Sequence, residues 1–374
     1  MTWTGLTWDH PRGYNALAAA AAADPVIAWS RQPLEGFEAH PIGELCATYD
    51  IVVLDHPHIG EAVAEACLQP LDTLFSADEI TAWASATIGP CMASYRYGGR
   101  YWALPLDAAT QVMARRADLV DGPAPQTWDE VAALAGRVPV CLSLAGPHAA
   151  LSFMSIAVAL GEPPAARDPE RLLSDETARA AFALMTQIDA TAPAFTRALN
   201  PIGLLAAMAG GNDHALCPLV YGYVNYAAPR LAGQHSVTFS DAPAAVPGGR
   251  PGTTLGGTGI AFSRHCRPAP ALLDHVRRLM GAEMQTGFIP AHDGQPSRRE
   301  AWTSPAVDRA WGGFYGGTAR SLEQAWVRPR HPGYIAFQAA ASALIREALA
   351  GDGRDLPARL QDAYAASRRA GGEI

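Results

Sequence analysis

The run Tyr49-Asp-Ile-Val-Val-Leu54 constrains the fold of this chain more than any other segment. Its nearly continuous apolar character suits a strand of a parallel sheet covered on both faces, a setting found in α/β proteins with helical crossovers. The residues before it supply that context. Trp3 to Trp8 reads as a strand, Asn15 to Ala23 as an Ala-rich helix and Pro25 to Trp29 as a further strand, so the chain opens β-α-β-α-β.

Two of these strands run into the same tripeptide, Asp9-His10-Pro11 and Asp55-His56-Pro57. Open parallel sheets bind ligands outside the carboxyl ends of their strands, so both pairs are expected to face one crevice. Each proline stops its strand and biases the histidine before it toward extended geometry, which places the imidazole on a turn. A histidine beside a carboxylate can titrate near neutrality and serve acid-base chemistry. In the alternative, Asp9 and Asp55 cap the following helices and the histidines bond to backbone. His58 adds a third imidazole as a candidate ligand contact, but no His-x-x-x-His spacing supports a metal site, and no metal or cofactor is expected.

At 374 residues the chain exceeds what one core usually serves, so two lobes are expected. A net charge of −8 argues against nucleic acid as partner. All 28 basic residues are arginine, which excludes a lysine Schiff base or a Walker lysine. Six scattered cysteines lack metal-ligand spacing and read as reduced. No stretch is long and apolar enough to span or insert into a membrane. The N-terminus shows no basic start, so as written the chain carries no export signal and is expected in the cytoplasm, or in the periplasm or outside the cell if a signal was trimmed.

Further along, Gly98-Gly99 between aromatic runs signals a hairpin, and Thr127-Trp128-Asp129-Glu130 fits a capping box. Helices are expected over Ser174 to Ala192, Pro270 to Met280, Ser321 to Trp326 and Tyr334 to Ala350. Strands are expected over Ala215 to Tyr223, His235 to Phe239 and Thr258 to Phe262. Between the last two lies a Pro/Gly-rich loop, Ala242 to Gly257.

Six segments in order resemble the bacterial extracellular solute-binding proteins of the carbohydrate type, the binding components of ABC importers. They are Leu6-Thr-Trp-Asp-His-Pro-Arg-Gly-Tyr, Asp55-His-Pro-His-Ile-Gly, Tyr95-Arg-Tyr-Gly-Gly-Arg-Tyr-Trp-Ala-Leu-Pro-Leu-Asp, Pro125-Gln-Thr-Trp-Asp-Glu, Gly256-Gly-Thr-Gly-Ile-Ala-Phe-Ser and Arg328-Pro-Arg-His-Pro-Gly-Tyr. The resemblance implies an α/β, two-lobe type II periplasmic-binding-protein fold with a central ligand cleft. Its hinge crossings would lie near Asp107 to Arg116 and Gly256 to Phe262. Lobe 1 would comprise 1–108 and about 262–315, lobe 2 about 109–261 and 316–366, with 367–374 a frayed tail. Transporter membrane subunits are implied as partners if the protein is exported.

Beyond the two Asp-His pairs, several residues are candidate ligand contacts. Arg12 and Gly13 stand at an expected helix start, where a guanidinium beside free N–H groups can seat an anion. Trp8 offers a stacking ring, and Asp107 lies at the first crossing. Tyr221 and Tyr223 share one strand face by the two-residue period. Gly257 would serve a hinge or a close backbone approach. Gln295, Arg298 and Arg328 bring hydrogen-bonding and cationic groups from the C-terminal third.

Two functions are expected from these residues. The first is binding of a small polar or anionic solute, a sugar or a carboxylate-bearing metabolite. The alternative is a cytoplasmic enzyme using Asp9, His10, Asp55 and His56 for acid-base work such as imine or condensation chemistry.

Overall fold

The computed structural model describes residues 2–228 and 233–370. The chain divides into two compact units. Unit 1 holds Met1–Ala109, Gly256–Arg309 and Arg330–Pro332; unit 2 holds Thr110–Leu255, Ala310–Pro329 and Gly333–Ile374. Boundaries expected near 262 and 315 thus fall at Gly256 and Arg309, and a short piece around Arg330 returns to unit 1.

Strands in chain order are β1 (Trp3–Trp8), β2 (Ile27–Gln32), β3 (Ile51–Leu54), β4 (Arg96–Tyr97), β5 (Arg100–Tyr101), β6 (Leu104–Arg115), β7 (Leu216–Tyr221), β8 (Thr238–Ser240) and β9 (Leu255–Phe262). In unit 1 the sheet runs β2-β1-β3-β9-β6. β1 pairs in parallel with β2 and β3, as a β-α-β opening requires. The sheet is not parallel throughout, because β9 runs antiparallel to β3, with Ile51 opposite Phe262 and Leu54 opposite Gly259. β3 is buried along its whole length, which explains its unbroken apolar run without parallel neighbours on both sides. The Gly98-Gly99 hairpin forms between β4 and β5, with both glycines at positive φ.

Helix α1 spans Pro11–Ala23, four residues earlier than its alanine run suggests. Proline at the first helical position is preorganised for the helix, and His10 caps it, so the helix begins at the tripeptide itself. Unit 1 buries Leu17, Ile27, Ile51, Phe75 and Phe262 together in one apolar cluster.

In unit 2 the far half of β6 pairs antiparallel with β7 and β8. The helix His148–Ala159 is buried on every side, consistent with its lack of charge, and packs against the helices Asp175–Asp189 and Tyr334–Ala350. The capping box forms as expected: Thr127 Oγ1 accepts from the Glu130 amide, and Glu130 accepts from the Thr127 amide at 3.1 Å. Two expectations are corrected. The last helix, Leu356–Ala370, continues through four residues of the supposed tail, whose remainder, 371–374, lies outside the described residues. The helix expected over Ser321 to Trp326 instead covers Phe314–Glu323.

Candidate functional site

Unit 1 gathers its candidates at the carboxyl ends of β1 and β3 and the start of β6. Trp8 ends β1, and the next residues turn into α1. His10 has extended backbone, and its Nδ1 accepts the Arg12 amide at 3.1 Å, so the imidazole acts as the helix N-cap. The ring lies flat on Trp8, with centroids 5.2 Å apart and planes 7° from parallel. Burial, reinforced by the Arg12 charge, lowers its pKa to about 3. A ring held neutral, with one nitrogen committed to a backbone amide, is poorly suited to shuttle protons near neutrality.

Asp9 does not join it. Its carboxylate receives Arg31 Nη1 at 2.9 Å on the surface, so the first expected acid-base pair does not form, and the cap is the histidine where the sequence reading had the aspartate. The second tripeptide behaves otherwise. Asp55 caps a single 3-10 turn, His56–His58, by accepting the His56 amide at 2.8 Å, and the same carboxylate lies 3.1 Å from His56 Nδ1. His56 is therefore helical rather than extended; the residue before it, Asp55, carries the extended backbone. Both His56 and His58 are buried.

Arg12 is the centre of the group. Its guanidinium carbon sits 5.2 Å from the Trp8 ring centroid, while Nε and Nη2 donate to the two oxygens of Asp107 at 2.9 and 2.7 Å. Both partners are buried, with side chains 4% and 7% exposed. Burial pushes the Asp107 pKa up, Arg12 draws it back down, and the nearby Asp55 charge adds to the rise. Because both oxygens accept from the guanidinium fork, the group is the carboxylate of an ion pair.

Gly13 serves Trp8. A Cβ there would stand 2.2 Å from the indole nitrogen, so only glycine lets the ring lie on the helix start. Gly257, at φ +92°, meets the backbone of β6 in the same way: a Cβ would lie 2.4 Å from the Asp107 carbonyl oxygen. Its close approach is thus to the strand that carries Asp107. Gln295 holds that strand from another side, donating to the Ala108 carbonyl at 3.1 Å while its own carbonyl receives the Ala108 amide. Arg298 stands apart from this group, paired with Glu300 at 2.8 Å.

Sequence reasoning passed over Tyr95. Its hydroxyl donates to the Leu54 carbonyl at 3.2 Å, and its ring meets His56 edge-on, so it braces the second tripeptide. The signal was present in the aromatic segment that begins at Tyr95. Arg330, two residues beyond Arg328, is committed to backbone: its Nη1 donates to the carbonyls of Ala93, Ser94 and Arg96 at 2.8 to 3.0 Å.

Unit 2 brings Tyr221 and Arg328 to one acceptor. The Tyr221 hydroxyl and Arg328 Nη2 both donate to the Leu255 carbonyl, at 3.3 and 3.2 Å, and Arg328 Nη1 reaches Gln338 at 3.1 Å. His148, also missed, meets the Tyr221 ring edge-on at 5.9 Å from its position at a helix start. β7 ends at Tyr221, two residues short of the strand expected, and Tyr223, still extended, leads into the 3-10 turn Val224–Tyr226.

Residues 43–312 match the sequence model described as bacterial extracellular solute-binding protein. No curated protein sequence matches the chain. Among solved structures it is similar to an ABC transporter solute-binding protein from Agrobacterium radiobacter in complex with ribitol, at 20% identity and TM-score 0.80, covering 99% of this chain and 98% of that one. The maltose-bound MalE3 of T. maritima is similar at 17% identity and TM-score 0.79, covering 97% and 98%. The maltotriose-binding protein of Thermus thermophilus aligns over 100% of both chains, at 16% identity and TM-score 0.74. At these identities the likeness establishes the fold.

Proposed function

We propose that this chain, which belongs to the bacterial extracellular solute-binding proteins, binds a neutral polyhydroxylated solute, a sugar or sugar alcohol, through the group formed by Trp8, Arg12, Asp107 and the Asp55 turn. The observation that carries the reading is the buried, two-point ion pair of Arg12 with Asp107. Its charges cancel, so it offers no net attraction to an anion, while a hydroxyl can donate to a carboxylate and accept from a guanidinium at once. Trp8 backs the guanidinium, which lies over its ring, and so fixes the donor that such a hydroxyl would meet. The ribitol and maltose held by the two similar structures belong to the same chemical class. This choice sets aside the carboxylate-bearing metabolite considered from the arginine content.

Family membership supports a setting outside the cytoplasm, and no helix among the described residues is long and apolar enough to cross a membrane. Export is the condition on which the membrane subunits of an ABC importer become the partner. Cell fractionation of the native host tests that condition: recovery with the cytosol would sink it.

Ligand class is tested by thermal shift with matched pairs, ribitol against ribonate and maltose against maltobionate, extended to a panel of sugars and polyols. A neutral member is expected to raise the melting temperature. Stabilisation by the acids alone would overturn the reading.

A further inference from the structure

A cavity of about 120 Å³ lies wholly within unit 2, lined by Leu144, Asp189, Arg197, Arg346, Leu349 and Ala350. Its lining comes from the last turns of the helices Tyr334–Ala350 and Asp175–Asp189 and from the 3-10 turn Ala194–Ala198. Two of its three charges cancel. Arg197 Nε and Nη2 donate to the two oxygens of Asp189 at 2.9 and 2.8 Å, and the Asp189 side chain is 6% exposed. Arg346 has no such partner. Its Nη1 donates to the carbonyls of Leu144 and Gly146 at 2.9 and 2.7 Å, and among the described residues no carboxylate reaches its guanidinium. Burial alone moves its pKa, downward, and an arginine keeps its proton all the same.

We propose that this cavity is a second ligand site, which binds a short-chain aliphatic monocarboxylate with its carboxylate on Arg346 and its chain against Leu144, Leu349 and Ala350. The charge balance sets the monoanion, because one guanidinium is left uncompensated. The helix end at Asp189 already receives Arg197 Nη2 on its carbonyl at 3.3 Å, and the end at Ala350 carries only about half a charge, too little to cancel Arg346. The spare donors set the carboxylate. With Nη1 committed to backbone, the Nε and Nη2 edge of Arg346 carries no bond, and that fork matches two carboxylate oxygens. The apolar walls and the small volume set a short hydrocarbon chain.

A sulfate or phosphate would find a single free guanidinium and would leave the apolar walls uncovered. A sugar acid, with a hydroxyl on nearly every carbon, would bury polar groups against those walls without partners. The site uses no residue of the group around Arg12 and Asp107, so it stands whatever the solute bound there.

The test follows the arginine Nε–H signals of the intact, isotopically labelled chain by NMR at slightly acid pH and fixed ionic strength. Acetate, propionate and butyrate are titrated in turn, with butyramide as the neutral comparison. The Arg346 signal is identified by its loss in Arg346→Gln, or in Arg346→Lys, which keeps the cation, if the first variant does not fold. A saturable shift of that signal is expected with each acid and none with butyramide. The dissociation constant should fall about 3-fold with each added methylene. Ala350→Phe, at an exposed position on the rim, fills the cavity and leaves the arginine in place. It should weaken butyrate about 10-fold or more while the other signals keep their positions. No saturable shift of the Arg346 signal would overturn the proposal, as would equal affinity for acetate and butyrate, an equal response to butyramide, or unchanged butyrate binding in folded Ala350→Phe.

Discussion

Arg12 touches the face of Trp8 and both oxygens of Asp107, a carboxylate 95 positions away in sequence. Removing it leaves a buried charge without its partner, which costs about 3–5 kcal/mol. Arg12→Ala is therefore expected to lower the urea midpoint at unchanged slope; a loss under 1 kcal/mol would show that the pair is not buried in solution. His10 makes a pH prediction. Its folded pKa, about 3, lies below the 6.5 of a free histidine, so between these values the unfolded chain binds a proton that the folded one refuses. Stability from this group is complete above pH 6.5 and is lost as pH falls toward 3. His10→Asn keeps a capping side chain but removes the titration, and should flatten the acid side of a pH–stability profile measured by circular dichroism. Both residues of the ion pair were recognisable as site candidates from sequence, but their pairing was not, since it depends on how β6 is laid beside the start of α1. The neutral state of His10 was equally hidden, because neighbouring residues cannot report burial.

Among the elements, β6 and the segments around it show how close backbone packing positions the site. Gly257→Ala places a methyl 2.4 Å from the Asp107 carbonyl oxygen, at a φ of +92° that suits glycine. Neither atom can move without shifting a strand, so a loss of about 2 kcal/mol or more is expected from denaturant titration. Gly60→Ala meets the Arg330 carbonyl at 1.5 Å and should detach the short Arg330–Pro332 piece from the helix Ile59–Ala64, seen as faster amide exchange at 330–332. The strands β1 and β3, the Gly98-Gly99 hairpin and the Thr127 capping box were legible because each rests on local periodicity or a local bond. The antiparallel direction of β9 was not, since an apolar strand looks the same in either direction. The start of α1 at Pro11 was readable in principle from a proline at the first helical position. The end of β7 before Tyr223 was not, as a turn there carries no glycine–proline signal beyond Gly222.

For the whole molecule, two compact units and a family match over residues 43–312 establish a solute-binding protein. Family motifs spread along the chain made that reading possible from sequence, whereas ligand class rests on the balance of charge at Arg12 and Asp107. Isothermal titration calorimetry of the intact chain with the best neutral polyol or sugar, beside its matched sugar acid, tests this balance directly. One site per chain is expected, with the neutral solute bound more tightly than the acid, and Asp107→Asn weakening it about 10-fold or more while the fold is retained. Tighter binding of the acid, or unchanged affinity in a folded Asp107→Asn protein, would contradict the account.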